Sequence, residues 1–183
     1  MASDSEIMQR IQAGEAALFS ELVARYQNRL LRFAISKTPN HATAEDLVQE
    51  AFLAAFRSRM SYSTEYAVST WLWSILLNLS KRDARRQQRR RGIEAARIDS
   101  PMQSATDPIS LLIQAERRAL VHDLLDEIHP RQADALRLRF FGELSFDEIA
   151  LTMQCSVSGA KRRVKNGLLN LAQVIQRRDW TQP

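Results

Sequence analysis

LSFDEIALTMQCSVSGAKRRV, residues 144–164, reads as two helices joined by a tight turn. Ser145 stands where an N-cap hydroxyl accepts from the third helical amide, and Glu148 three residues on completes a capping box. Ile149, Ala150 and Met153 fall on one inward face, and the small Ala150 lets a second helix approach closely. Gln154-Cys-Ser156 makes the turn, and Ser156 or Ser158 caps the helix that follows. That helix opens with Lys161, Arg162, Arg163, Lys165 and Asn166. Donors in this position meet base edges and phosphates when a recognition helix lies in a major groove. Apolar spacing alone would suit any amphipathic hairpin. The capping box, short turn and five donors together predict a DNA-binding helix-turn-helix.

Upstream, the helical period continues. Pro130 sits where a helix begins, since its missing N–H costs nothing there, and apolar periodicity runs from Leu111 through Leu125 and Ile128. Residues 92–110 lose the period and hold Gly92, Pro101, Pro108 and a cluster of Ser, Thr and Asp, a linker composition. Before them, a helix with Val68, Trp71, Leu72, Ile75 and Leu79 on one face runs into a basic block. Another, with Thr43 as its N-cap and Glu45 and Asp46 in its first turn, buries Leu47, Val48, Ala51, Phe52, Ala55 and Phe56. Leu18, Phe19, Leu22, Val23, Tyr26, Leu30 and Phe33 form the stripe of a helix that Pro39 ends. No strand alternation occurs. The expected fold is all-α: helical domains at 1–92 and 112–183, the second a helix-turn-helix, joined by a flexible linker at 93–111.

Composition narrows the function. The chain has 183 residues, 45% hydrophobic and 26% charged, enough to build one ordinary core or two small ones. Five Gly and five Pro argue against a turn-dense, many-stranded fold. No uncharged apolar run reaches the roughly 18 residues that membrane insertion needs, and no secretory signal is visible, so a cytoplasmic protein is expected. The single cysteine, Cys155, excludes an internal disulfide and a multi-cysteine zinc site. Net charge is +5, yet residues 81–91 alone carry seven Lys or Arg against one Asp. Residues 131–183 are basic as well, and 92–130 are acidic. Basic blocks of this density fit a polyanion, because each neutralised phosphate releases counterions.

Two further groupings stand out in the first half. Asp46, Gln49, Glu50 and Leu53 share a second stripe on their helix, either a solvated acidic face or a docking surface with Leu53 as its apolar part. Trp73 lies about 200° around its helix from Trp71 and is expected to be the more exposed of the two. Asn78, Lys81, Arg82, Arg85 and Arg86 follow on the same helix, and the polar loop 61–66 before it contains Tyr62 and Tyr66. Aromatic rings beside cations suit unstacked single-stranded bases. The plainer reading has both tyrosines cover the edge of the core.

Taken together, these segments resemble the bacterial extracytoplasmic-function (ECF) sigma factors. TAEDLVQEAFLAAF at 43–56 is similar to the family's AEDLVQEVFLRAW, and STWLWSILLNL at 69–79 to its TWLYRIARNL. AGEAALF at 13–19 is similar to the AGDxxAF opening, and HPRQ at 129–132 followed by LSFDEIA at 144–150 to the family's ending. The resemblance spans roughly residues 5–90 and 112–175. It implies a non-enzymatic initiation factor, without cofactor, whose partners are core RNA polymerase and promoter DNA. By position, Asp46, Gln49, Glu50 and Leu53 would dock on the polymerase clamp helices. Tyr62, Tyr66, Trp73 and Asn78 would take an everted base of the −10 element, with Lys81, Arg82, Arg85 and Arg86 on the adjacent backbone. Lys161, Arg162, Arg163, Lys165 and Asn166 would read the −35 duplex, and an anti-sigma factor is the partner expected to hold the protein inactive. Where the family has Gly in the turn this chain has Gln154, which must adopt a left-handed conformation at a cost of about 1 kcal/mol. Its GTVKSR motif reads SGAKRR at 158–163, which puts Gly159 in the first turn of the recognition helix.

Other functions fit less of the chain. His41, His122 and His129 are scattered, and surface or capping roles suit them. Asp46 and Glu50 lack the further ligands a metal requires, and there is no Gly-rich phosphate loop. Cys155 reads as a small buried residue of the turn, not a nucleophile or redox switch. A repressor or activator would use the C-terminal half and leave the acidic stripe and the Trp73–Arg86 helix without a purpose. A helical adaptor would leave both basic blocks merely solubilising.

Overall fold

The computed structural model describes residues 2–38, 40–91 and 108–179. These residues form the helices α1 (Asp4–Gln12), α2 (Phe19–Lys37), α3 (His41–Arg57), α4 (Val68–Arg91), α5 (Pro108–Asp126), α6 (Pro130–Phe140), α7 (Phe146–Thr152) and α8 (Val157–Asp179). No strand occurs among them. The described residues up to 34 together with 42–91 make one compact unit, and those between 35 and 41 together with 108–179 make a second. Most of the expected linker lies outside the described residues, and its last four positions, 108–111, belong to α5.

In the first unit, α1 is an element that the sequence expectations omit. Nine residues are too few for periodicity to stand out, but its start carries the same signal as residue 145. The Ser3 hydroxyl accepts from the Glu6 amide, and the Glu6 carboxylate accepts from the Ser3 amide, a second capping box. Those bonds hold the Glu6 carboxyl below its ordinary range. Ile7, Met8 and Ile11 are buried beneath it. Gly14, at φ +114°, then turns the chain through a conformation that L side chains rarely adopt, and a 3-10 turn at Ala16–Leu18 leads into α2.

From α2, Leu22, Tyr26, Leu30 and Phe33 enter the core, and Phe19 meets Phe52 and Phe56 of α3 edge-on at 6.3 and 5.2 Å. All six apolar residues expected from α3 turn inward or sit at the core's edge. The helix begins at His41, so Thr43 lies inside it and is not its N-cap.

For α4 the expectation is corrected. Val68, Leu72, Trp73, Leu76 and Leu77 are buried, whereas Trp71, Ile75 and Leu79 are only half-buried. Trp73, expected to be exposed, has no accessible surface, and its ring stands edge-on to Phe33 at 5.6 Å. The reason lies in composition. Between residues 68 and 79 apolar side chains occur on nearly every side of α4, so periodicity does not select a face. A buried indole contributes more area than any competitor, and it sets the rotation.

The second unit packs α5, α6, α7 and α8. The Nδ1 of His129 accepts from the Arg131 amide at 3.2 Å and so caps α6, with Pro130 at its first position. α6 and α8 cross at Gly167, where a Cβ would lie 3.1 Å from Leu136 Cδ1. Ile149 and Ala150 of α7 and Ala160 and Val164 of α8 complete the core beneath the helix-turn-helix. Among the described residues no helix is long and apolar enough to cross a membrane.

Burial of Trp73 has a measurable consequence. Trp73→Ala is expected to destabilise the first unit by about 3–5 kcal/mol in urea unfolding followed by circular dichroism. An exposed stacking residue would leave the midpoint within experimental error.

Candidate functional site

Three surfaces gather the residues singled out in the sequence. On α3, Asp46, Gln49, Glu50 and Leu53 are all exposed, opposite the buried Leu47, Val48, Ala51 and Phe52. Leu53 keeps 53% of its surface in solvent. A leucine exposed in line with two carboxylates makes a mixed polar and apolar stripe.

The second surface belongs to α4 and the loop before it. Asn78, Arg82, Arg85 and Arg86 are exposed, and Lys81 is half-buried. Trp71, seven residues before Asn78, shares its face, so the aromatic residue at the head of the basic face is Trp71 and not Trp73. The Arg82 guanidinium reaches across to α3 and pairs with the Glu50 carboxylate at 2.5 Å, both side chains being largely exposed. A pair in open solvent adds about 0–1 kcal/mol of stability, but it shows that the acidic stripe and the basic face adjoin. Thirty-two residues separate the two in sequence, so nothing local signals the contact.

Within the loop the two tyrosines part company. Tyr62 is buried, its ring 5.4 Å from that of Trp71, and its phenol donates to the Tyr66 carbonyl at 2.5 Å. Burial pushes that phenol above its ordinary value, which keeps the donor proton in place. For Tyr62 the plainer reading, a cover on the core, holds. Tyr66 is 52% exposed at the tip, beside exposed Ser61, Ser63, Thr64 and Glu65. The sequence reading missed Gln12, whose side-chain amide donates to the Arg59 and Tyr62 carbonyls at 2.8 and 3.1 Å.

The third surface is the helix-turn-helix. Ser145 and Glu148 form the expected capping box at the start of α7. Gln154 takes the left-handed conformation at φ +50°. Its amide donates to the Leu151 carbonyl and that of Cys155 to the Ala150 carbonyl, so the turn is a Schellman motif with glutamine in the position that glycine favours. Of the two candidate caps for α8, Ser156 is the one used: its hydroxyl accepts from the Gly159 amide at 3.1 Å. A Cβ at residue 159 would lie 3.1 Å from that hydroxyl. Glycine there lets the cap sit close.

Lys161, Arg162, Lys165 and Asn166 are exposed on α8. Arg163 is half-buried on the flank, because it lies within about 60° of the face that buries Ala160, Val164 and Gly167. Lys161 also leans on Phe146 of α7, its Nζ 5.8 Å from the ring centroid, while Arg139 lies 5.0 Å from the same ring. The Lys161 contact ties the donor-bearing turn of α8 to α7, and the Arg139 contact ties α6 to α7. Cys155 is half-buried in the turn.

With this geometry in view, comparison with known proteins is specific. Residues 22–90 match the Sigma-70 region 2 family and residues 118–171 the Sigma-70 region 4 family. The chain is 30% identical over 170 residues to the ECF RNA polymerase sigma-E factor of Escherichia coli K12, an alignment covering 88% of each chain. It is 28% identical over 169 residues to the RNA polymerase sigma-H factor of Pseudomonas aeruginosa, again covering 88% of each. Two solved structures share the fold. CnrH, in complex with the cytosolic domain of CnrY, superposes with a TM-score of 0.74 at 20% identity, covering 96% of this chain and 99% of CnrH. The sigma factor RpoE of Bartonella quintana, in complex with the anti-sigma factor NepR, gives 0.62 at 22% identity, covering 86% and 96%.

The strained turn supplies a test of the third surface. Gln154→Gly is expected to raise the stability of the second unit by about 0.5–1 kcal/mol, read as a later urea midpoint with an unchanged slope.

Proposed function

Since this chain belongs to the ECF family of RNA polymerase sigma factors, we propose how its surfaces divide the work of initiation. The protein is a non-enzymatic transcription initiation factor with region 2 and region 4 domains for polymerase binding and promoter recognition. In our reading residues 1–92 form the region 2 domain, 112–183 the region 4 domain, and 93–111 the tether between them. The α3 stripe of Asp46, Gln49, Glu50 and Leu53 docks on core polymerase. Tyr66 and the loop 61–66, with Asn78, take an unstacked base of the −10 element. Tyr62 supports that loop from within, and buried Trp73 holds α4 in register while Trp71 stands at the head of the basic face. Lys81, Arg82, Arg85 and Arg86 hold the neighbouring phosphates. Lys161, Arg162, Lys165 and Asn166 of α8 read the −35 duplex, with Arg163 on the backbone at its flank.

The observation that carries this reading is the Glu50–Arg82 pair. The pair sets the acidic stripe of α3 beside the basic face of α4, which supports the reading because a factor that opens DNA on the surface of an enzyme requires such neighbours. A repressor needs no such neighbour for its recognition helix. The protein acts in the cytoplasm, where polymerase and promoter meet. An anti-sigma protein is the inhibitory partner we assign, a reading supported by the RpoE–NepR complex among the similar structures.

Reconstitution with core polymerase and run-off transcription on a genomic library tests the function directly, and failure to confer start-site choice overturns it. In the same system, Asp46→Lys with Glu50→Lys is expected to weaken core association by at least about tenfold in co-elution, with the folded signal retained. For the third surface, Arg163→Ala is expected to lower the slope of log affinity against log salt on −35 duplex by about 1, and Arg162→Ala to relax base preference within the −35 element at a cost of about 1–3 kcal/mol.

A further inference from the structure

We propose that Gln12 is a positioning residue for promoter melting, through which α1 holds the 59–66 loop in the shape that discriminates a base. This rests on the reading that the loop takes an unstacked base of the −10 element. A primary amide has two N–H donors, and Gln12 directs its Nε2 at two carbonyls of one turn, Arg59 at 2.8 Å and Tyr62 at 3.1 Å. Those carbonyls bracket the 3-10 turn Arg59–Ser61, the base from which the loop projects. Beyond it, residues 63–67 are exposed, so no core packing fixes their course. Within the loop the Tyr62 phenol donates to the Tyr66 carbonyl, and the Glu65 and Tyr66 amides donate to Ser63; the surroundings of that phenol also include Ser5 and Asp4 of α1.

The clamp works only if α1 is itself anchored, and its contacts anchor it. Asp4 accepts from Arg25 of α2 at 2.5 Å and from the Tyr26 hydroxyl, while Ile7, Met8 and Ile11 are buried. A continuous set of contacts thus runs from α2 through Asp4 and α1 to Gln12 and the loop. Discrimination between bases needs a loop that keeps one shape, since a pliant loop re-packs around a wrong base and so narrows the difference in affinity. Gln12→Glu keeps the shape of the side chain and replaces the donor with a carboxylate facing two carbonyls.

The test uses the full chain with core polymerase on promoters randomised across the −10 element, start sites being read by sequencing. Amide exchange on the free protein is measured alongside. Gln12→Glu is expected to relax base preference about tenfold, the effect of losing two hydrogen bonds of ordinary net strength, at the positions that Tyr66→Ala also relaxes. Preference at −35 should stay unchanged. Exchange should rise across 59–66 and not in the α3 and α4 core, and Gln12→Lys, whose ammonium can donate to both carbonyls, should restore the preference. Gln12→Ala takes the place of Gln12→Glu under the same criteria if the latter does not fold. An unchanged −10 preference, an equal loss at −35, or exchange raised throughout the unit overturns the positioning role. Tyr66→Ala leaving the −10 preference intact instead overturns the reading that the loop takes a base.

Discussion

Burial of one indole ring governs how the first unit presents itself. Trp73 packs edge-on against Phe33 of α2 with no surface left in solvent. A ring of that size admits one rotational setting of the helix that bears it, because protein interiors are close-packed and a rotated α4 would leave a void. With that setting, Trp71, Asn78, Arg82 and Arg85 are carried to the opposite side. Arg82 then comes within reach of Glu50, and the acidic stripe of α3 meets the basic face of α4. The arrangement of surfaces that suits an initiation factor therefore follows from a packing decision in the core, several residues away from any group that touches a partner.

In the second unit the governing constraint is a turn. Ala150 and Leu151 receive the two hydrogen bonds that close α7, which obliges residue 154 to sit at positive φ. Glutamine accepts this at a modest cost in backbone strain. In return α8 starts at a defined angle and its first turns carry Lys161, Arg162 and Lys165 outward. Gly159 contributes by allowing the Ser156 cap to close on the helix. The Lys161 ammonium over Phe146 adds a cation–π tie between α8 and α7, and Arg139 over the same ring ties α6 to α7, each worth about 0.5–1 kcal/mol at an exposed site. The surface that bears Lys161, Arg162 and Lys165 is thus anchored by short-range contacts within the second unit.

The loop 59–66 is held differently. It is short of apolar side chains and depends on hydrogen bonds drawn from an element far away in sequence. Polar contacts of that kind fix a backbone without covering it, which leaves Tyr66 and its neighbours accessible. The two tyrosines are placed differently: the Tyr62 ring is buried beside Trp71 and its phenol ties the loop to the Tyr66 carbonyl, while Tyr66 is exposed.

Features determined by neighbours along the chain could be read from the sequence alone. The capping box at Ser145, the cap at His129 ahead of Pro130, the left-handed residue 154 and the two stripes of α3 each depend on contacts within a turn or two of helix, and each stands in the structure as expected. α1 left a similar trace in Ser3 and Glu6, too short to be noticed. What only the tertiary structure decided is the rotation of α4, the separate fates of Tyr62 and Tyr66, the Glu50–Arg82 pair and the reach of Gln12 to the loop. Apolar residues lie on nearly every side of the first half of α4, so its local pattern is degenerate. Only competition for core volume among four helices, between residues tens of positions apart, resolves which face turns inward.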